Sequence, residues 1–182
     1  MTAPLDRRII VVGGSGTGKS WLARAVHRRC GVPYTELDAL FHGAGWQPRD
    51  EFLDDVRALA AASNWITEWQ YDGARQILLE RATLLVWLDL PVRTQMMQVI
   101  ARTIRRRITR AELWNGNREG PLLGLLHDRE HIIRWAWDTR HLARTRMAVI
   151  RTSHPELPVV HLRSRRAMRT WLRELPLADR DA

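Results

Sequence analysis

The sequence predicts an α/β fold on a mostly parallel sheet. Three observations carry this: short apolar runs alternate with helix-patterned segments, "TLLVWLDLP" is apolar on both faces as a central parallel strand must be, and a glycine-rich turn, "GGSGTGKS", joins the first strand to the first helix.

Taken in order, the β-branched run "RRIIVVG" (residues 7–13) is the expected first strand. "KSWLARAVHRRCG" follows as a helix, with Leu22, Ala25, Val26 and Cys30 at helical spacing. "VPYTELDAL" (residues 32–40) is expected to form a second strand. The loop "GAGWQPRD" ends at Asp50, a candidate N-cap for a helix that turns Phe52, Val56 and Leu59 inward. "NWITEW" and "TLLVWLDLP" supply two more strands, with "DGARQILLERA" between them, and Asp89 is expected to hold the turn before Pro91. Beyond Pro91 the pattern is helical, with Met96 or Met97, Ile100, Ile104 and Ile108 on one side and Arg102, Arg105, Arg106 and Arg110 elsewhere around the axis. "LWNGNREGP" interrupts it. A second helix over about 122–148, a strand "PVVHL" and a closing helix "SRRAMRTWLREL" complete the chain.

The 182 residues fit one domain, long enough for a core that needs neither disulfide nor structural metal. A single cysteine, Cys30, excludes an internal disulfide and a cysteine-only metal site, and suits a reducing compartment. His127, His131 and His141 do not form a zinc-like cluster. No basic start precedes a long apolar run, and the longest apolar stretches are strand-sized, so a cytoplasmic protein with no membrane segment is expected. A net charge of +9 favours polyanionic partners, and both a phosphate-handling enzyme and a nucleic-acid binder fit it.

The most specific signal is the phosphate loop of Gly13, Gly14, Ser15, Gly16, Thr17, Gly18, Lys19 and Ser20, a full match to G-x-x-x-x-G-K-[ST] in its strand-to-helix context. Glycines let the backbone curl so that successive N–H groups face one phosphate, and the helix adds its positive end. Lys19 is expected to reach the β- and γ-phosphates of ATP, and the Ser20 hydroxyl to hold Mg²⁺. Lys19 is also the only lysine, since every other member of the 29 Lys+Arg is arginine. An ammonium on a thin stem fits beneath such a loop where a planar guanidinium would crowd the nucleotide. Trp21 stands where many such loops carry a second hydroxyl residue. It is expected to pack near the nucleotide or in the core.

The segments "GGSGTGKSWLARAV", "GVPYTELDALFHGAGWQPRDEF", "NWITEWQY", "ATLLVWLDLPVRT", "RTIRRR" and "ELWNGNRE" together resemble the adenylate-kinase-related P-loop proteins often labelled topology modulation proteins, over about residues 8–172. The resemblance implies a three-layer P-loop NTPase fold of the nucleoside-monophosphate-kinase type. Its parallel sheet would have five strands in the order 2-3-1-4-5, with an arginine-rich helical lid at about 102–125. It also implies ATP- and Mg²⁺-dependent phosphoryl transfer to a small acceptor, with Asp38 as the acceptor-side carboxylate. Asp38 would orient or deprotonate an acceptor hydroxyl, or order metal-bound water. The family's "DGNY" is "EWQY" here, so Glu68 takes the place of the aspartate that holds Mg²⁺ through water, and Trp69 replaces glycine as either a stacking platform or a plug. Arg102 and Arg106, with Arg105, match the start of the lid, and Arg118 is a candidate arginine finger. Arg165 is a candidate to stack on the base. A rival reading is a nucleotide-binding module that engages DNA or RNA through its basic surface, with ATP as a switch or not hydrolysed. The oligomeric state and the acceptor's identity are left open by the sequence.

Overall fold

A computed structural model of the chain describes residues 7–109, 112–117 and 132–178. Four parallel strands, β1 (Arg8–Gly13), β2 (Trp65–Glu68), β3 (Leu84–Leu88) and β4 (Val159–Leu162), lie in the order β2-β1-β3-β4. Around them run α1 (Lys19–Cys30), α2 (Leu37–Phe41), α3 (Phe52–Ala61), α4 (Asp72–Leu79), α5 (Val92–Thr109), α6 (Ile132–Asp138), α7 (Leu142–Ser153) and α8 (Arg165–Glu174).

Both sheet faces are buried, which is why the central strands read as unbroken apolar runs. Ile10, Val12, Leu85 and Trp87 point to one face and pack under α2, α3, α4 and α7 through Leu37, Val56, Leu78 and Met147. Ile9, Val11, Val86 and Leu88 point to the other, under Leu22 and Val26 of α1 and Met168 of α8. Each such aliphatic side chain contributes roughly 1.5–3 kcal/mol when fully buried.

The fifth strand expected at residues 32–40 is instead a single bridge, Tyr34 opposite Ile66. Ile66 N–H donates to Pro33 O (2.8 Å) and Thr35 N–H to Ile66 O (3.1 Å), and the ladder goes no further. Upstream, Pro33 has no N–H to offer the sheet; downstream, Leu37 already begins α2. The sheet therefore has four strands, arranged as the expected order less its edge member.

Other expectations shift. The residue capping α3 is Glu51 rather than Asp50. The helix expected over 122–148 is, in its described part, two helices, α6 and α7, with a turn between them. On α5 the buried face is Gln95, Val99 and Thr103, while Met97 and Ile108 are 61% and 76% exposed. Arg102–Thr109 continue α5 without a break. Asp89 ties elements together instead of holding a turn: it accepts from Arg144 Nε on α7 (2.7 Å) and contacts His161 Nε2 on β4 (3.2 Å). Among the described residues no helix is long and apolar enough to cross a membrane.

Candidate active site

The carboxyl ends of β1 and β2 and the start of α1 converge on one point. The register sets Glu68 opposite Val11 and Gly13 opposite Leu88, so the phosphate loop leaves the sheet flanked by the ends of β2 and β3. Gly16 (φ 75°) and Gly18 (φ 91°) take left-handed backbone, and the Thr17 hydroxyl donates to Gly14 O (2.8 Å) to close the curl. Gly18 stands at the N-cap of α1, no side chain caps the helix, and its first turn carries no acid. The first N–H groups of α1 are thus left for an anion.

The loop is braced from behind by α5. A Cβ on Gly14 would stand 2.6 Å from Gln95 Oε1, and one on Gly16 would stand 2.8 Å from Val99 Cγ2 and run into the Gln95 carbonyl. Gln95 is itself fixed by donating to Leu90 O (2.7 Å). Sequence reading missed Gln95 because a glutamine on an arginine-rich helix looks solvated.

Lys19 bends back so that Nζ donates to Gly14 O (3.3 Å). Burial lowers its pKa, the Glu68 and Asp38 charges oppose that, and Arg102 adds to the lowering. Glu68 is 1% exposed. Burial raises its pKa, against the pull of Lys19 and a hydrogen bond with Ser20. Tyr34 donates its hydroxyl to Glu68 Oε1 (3.2 Å). The amide of Gln70, with its nitrogen facing the acids, donates to Asp38 Oδ1 (3.0 Å) and Glu68 Oε2 (3.2 Å) and so joins the two carboxylates.

Asp38 is the second residue of α2, not the end of a strand. Tyr71 donates its hydroxyl to Asp38 Oδ1 (2.6 Å) from a left-handed backbone (φ 55°), with its ring stacked on Phe41 at 4.0 Å. Among the described residues no group bonds Asp38 Oδ2. Trp69 lies half-buried against the core, its indole N–H donating to Arg75 O (3.4 Å) and the Arg75 guanidinium above its ring.

The structure thus gathers Lys19, Ser20, Asp38, Glu68 and Arg102 in one electrostatic unit. Arg106 lies one turn further along α5, half-buried. Trp21 is 46% exposed on α1, which rules out a core position. Arg165 is exposed at the start of α8, one turn before Met168, whose Cε packs 3.6 Å from a Cβ position on Gly18. Arg118, like His127 and His131, lies outside the described residues. The residues present suit magnesium nucleotide: Ser20 and Glu68 are hard oxygen donors joined by a hydrogen bond, and the Lys19 ammonium lies within charge reach of Glu68.

No protein-family model matches the chain, and no curated protein matches its sequence. Solved structures do share its fold. Shikimate kinase from Bacteroides thetaiotaomicron is 17% identical with a TM-score of 0.51, covering 92% of this chain and 94% of that one. A putative kinase from Chloroflexus aurantiacus j-10-fl is 14% identical with a TM-score of 0.52, covering 94% of this chain and 98% of that one. The chain has the α/β fold of P-loop kinases.

Proposed function

We propose that this protein is an ATP- and Mg²⁺-dependent phosphotransferase acting on a small acceptor beside Asp38, of the adenylate-kinase-related kind its motifs resemble. One observation carries the reading. The phosphate-loop lysine lies within charge reach of two carboxylates, Asp38 and Glu68, which Gln70 links, and a site that only bound nucleotide would need no acid at the position of Asp38.

Lys19 and the N–H groups of the loop hold the β- and γ-phosphates, and Ser20 and Glu68 hold the metal. Bound magnesium supplies charge neutralisation across the phosphates. Asp38 Oδ1 is occupied by Tyr71, so Oδ2 faces the acceptor. In the transfer, the acceptor oxygen bonds to the γ-phosphorus, the bond from that phosphorus to the β–γ bridging oxygen breaks to release ADP, and the acceptor proton passes to Asp38. Arg102 and Arg106 on α5 stand to balance the charge of the transferring group.

Calorimetry with a non-hydrolysable ATP analogue and magnesium, together with ADP release over a panel of small hydroxyl and phosphate acceptors, tests the reading. Lys19→Ala is expected to lose about 100-fold in nucleotide affinity, as removal of a charge-assisted contact to a buried phosphate costs about 3 kcal/mol. Asp38→Asn is expected to keep nucleotide affinity and lose roughly 10²–10⁴-fold in turnover. A wild-type protein that takes up no nucleotide, or an Asp38→Asn protein that turns over at the wild-type rate, would sink it.

A further inference from the structure

The turn Trp114–Gly116 belongs by sequence to the expected lid, yet it is fastened to the opposite wall of the site. Asn117 is the fastener. Its side-chain oxygen accepts from Trp46 N (3.0 Å), its side-chain nitrogen donates to Gly43 O (2.9 Å), and the residue is only 5% exposed. A second tie runs from the Asn115 side-chain amide to His42 O. Rings continue the seam: His42 lies 5.0 Å from Trp46, edge-on, and 6.2 Å from Trp114, inclined by 24°.

The two turns mirror one another, with left-handed backbone at Gly45 and Trp46 in one and at Asn115 and Gly116 in the other. At Trp46 (φ 62°) that conformation is unfavourable for a residue with a side chain, and the N–H it presents is the one Asn117 receives. The seam then reaches the chemistry. His42 Nε2 contacts the Tyr71 hydroxyl (3.2 Å), which donates to Asp38, so the sealed turns and the acceptor-side carboxylate share one set of contacts.

We infer that Asn117 is a positioning residue that locks the 43–46 and 113–117 turns into one wall beside Asp38, shutting bulk water out of the place an acceptor hydroxyl takes. This rests on the kinase reading. Water offers the same hydroxyl nucleophile as an alcohol acceptor, so keeping it from the acceptor's place is one way a phosphotransferase protects its nucleotide from hydrolysis.

The full-length protein tests this by hydrogen exchange and by hydrolysis of Mg·ATP with no acceptor present. In Asn117→Ala, amides of 42–49 are expected to lose protection while those of the sheet keep it. Acceptor-free hydrolysis should rise about fivefold, with KM for ATP within about twofold of wild type. Asn117→Asp keeps an acceptor for Trp46 N–H but no donor for Gly43 O, and should fall between. If Asn117→Ala fails to fold, Asn115→Ala, which removes the exposed second tie, should still raise acceptor-free hydrolysis about twofold. A folded Asn117→Ala protein whose hydrolysis is unchanged or slower, or whose 42–49 amides exchange as slowly as wild type, overturns the inference. Absence of ATP binding by the wild type sinks the kinase reading and this inference together; ATP binding with unchanged hydrolysis in the variants sinks this one alone.

Discussion

On the phosphate-loop side, shape comes from what the chain leaves out: Gly14 and Gly16 lie flat against Gln95 and Val99 of α5, with no room for a Cβ. On the acceptor side it comes from what the chain adds, as Tyr71, Gln70, His42 and Asn117 reach across gaps to hold Asp38 and two turns in place. The first region is a close-packed contact that fails if anything is inserted. The second is a hydrogen-bonded lattice, and it loosens when a single donor is removed. On the proposed reading, the close-packed half would hold the polyphosphate and the hydrogen-bonded half would position the acceptor.

The sharpest way to break this comparison is to put a methyl group into the close-packed half. Gly16→Ala asks an L-residue to take φ +75°, at about 1–2 kcal/mol, and drives its Cβ into the Gln95 carbonyl and Val99 Cγ2. Mg·ATP-analogue affinity by calorimetry is expected to fall by more than about tenfold, with a lowered Tm. If Gly16→Ala binds nucleotide as wild type does, the brace from α5 is not what shapes the loop. A smaller effect belongs to the lattice. Tyr71→Phe removes one short bond to Asp38, worth about 1–2 kcal/mol, and should slow acceptor turnover by about tenfold while leaving nucleotide affinity alone. A loss of nucleotide affinity in Tyr71→Phe would mean that the two halves are not separable.

The same contrast explains what the sequence revealed. The phosphate loop was legible because its chemistry is local, eight consecutive residues between a strand and a helix. Asp38 and Glu68 could be picked out only through resemblance to a family, since nothing in their own neighbourhood sets them apart from surface carboxylates, although Glu68 is buried. Of the expectations that failed, two show why most clearly. "VPYTELDAL" has enough β-branched and apolar residues for a strand, but Pro33 denies the sheet a donor and Leu37 turns into α2. On α5 the apolar side of Ile100, Ile104 and Ile108 is not the one that is buried, because the buried face is chosen by the glycine loop, which accepts Gln95 with its amide satisfied by Leu90 O. The Asn117–Gly43 tie joins residues 74 apart, and no spacing rule could find it.

The smallest effect at neutral pH, and the finest test of the comparison, comes from the two tyrosines, the only ones in the chain. Tyr34 sits on the phosphate-loop side with its hydroxyl on Glu68, and Tyr71 on the acceptor side with its hydroxyl on Asp38. Burial raises both above the ordinary value of 10.0, and neighbouring carboxylates raise them further, Glu68 then Glu36 for Tyr34 and Asp38 for Tyr71. In the unfolded chain both titrate near 10.0. Above that pH the folded state holds more protons than the unfolded one, so their contribution to stability is complete below the unfolded value and is lost as pH rises beyond it. Phenolate absorbance of the native protein should therefore stay flat through the range where the urea-unfolded protein already shows both tyrosines. Tyr71→Phe should leave a protein whose one remaining tyrosine, Tyr34, is still silent in that range, since its own burial and its bond to Glu68 are untouched. A native tyrosine titrating at its ordinary value would contradict the burial of these hydroxyls, and a Tyr34 that returns to its ordinary value in Tyr71→Phe would mean that the two halves are held as one.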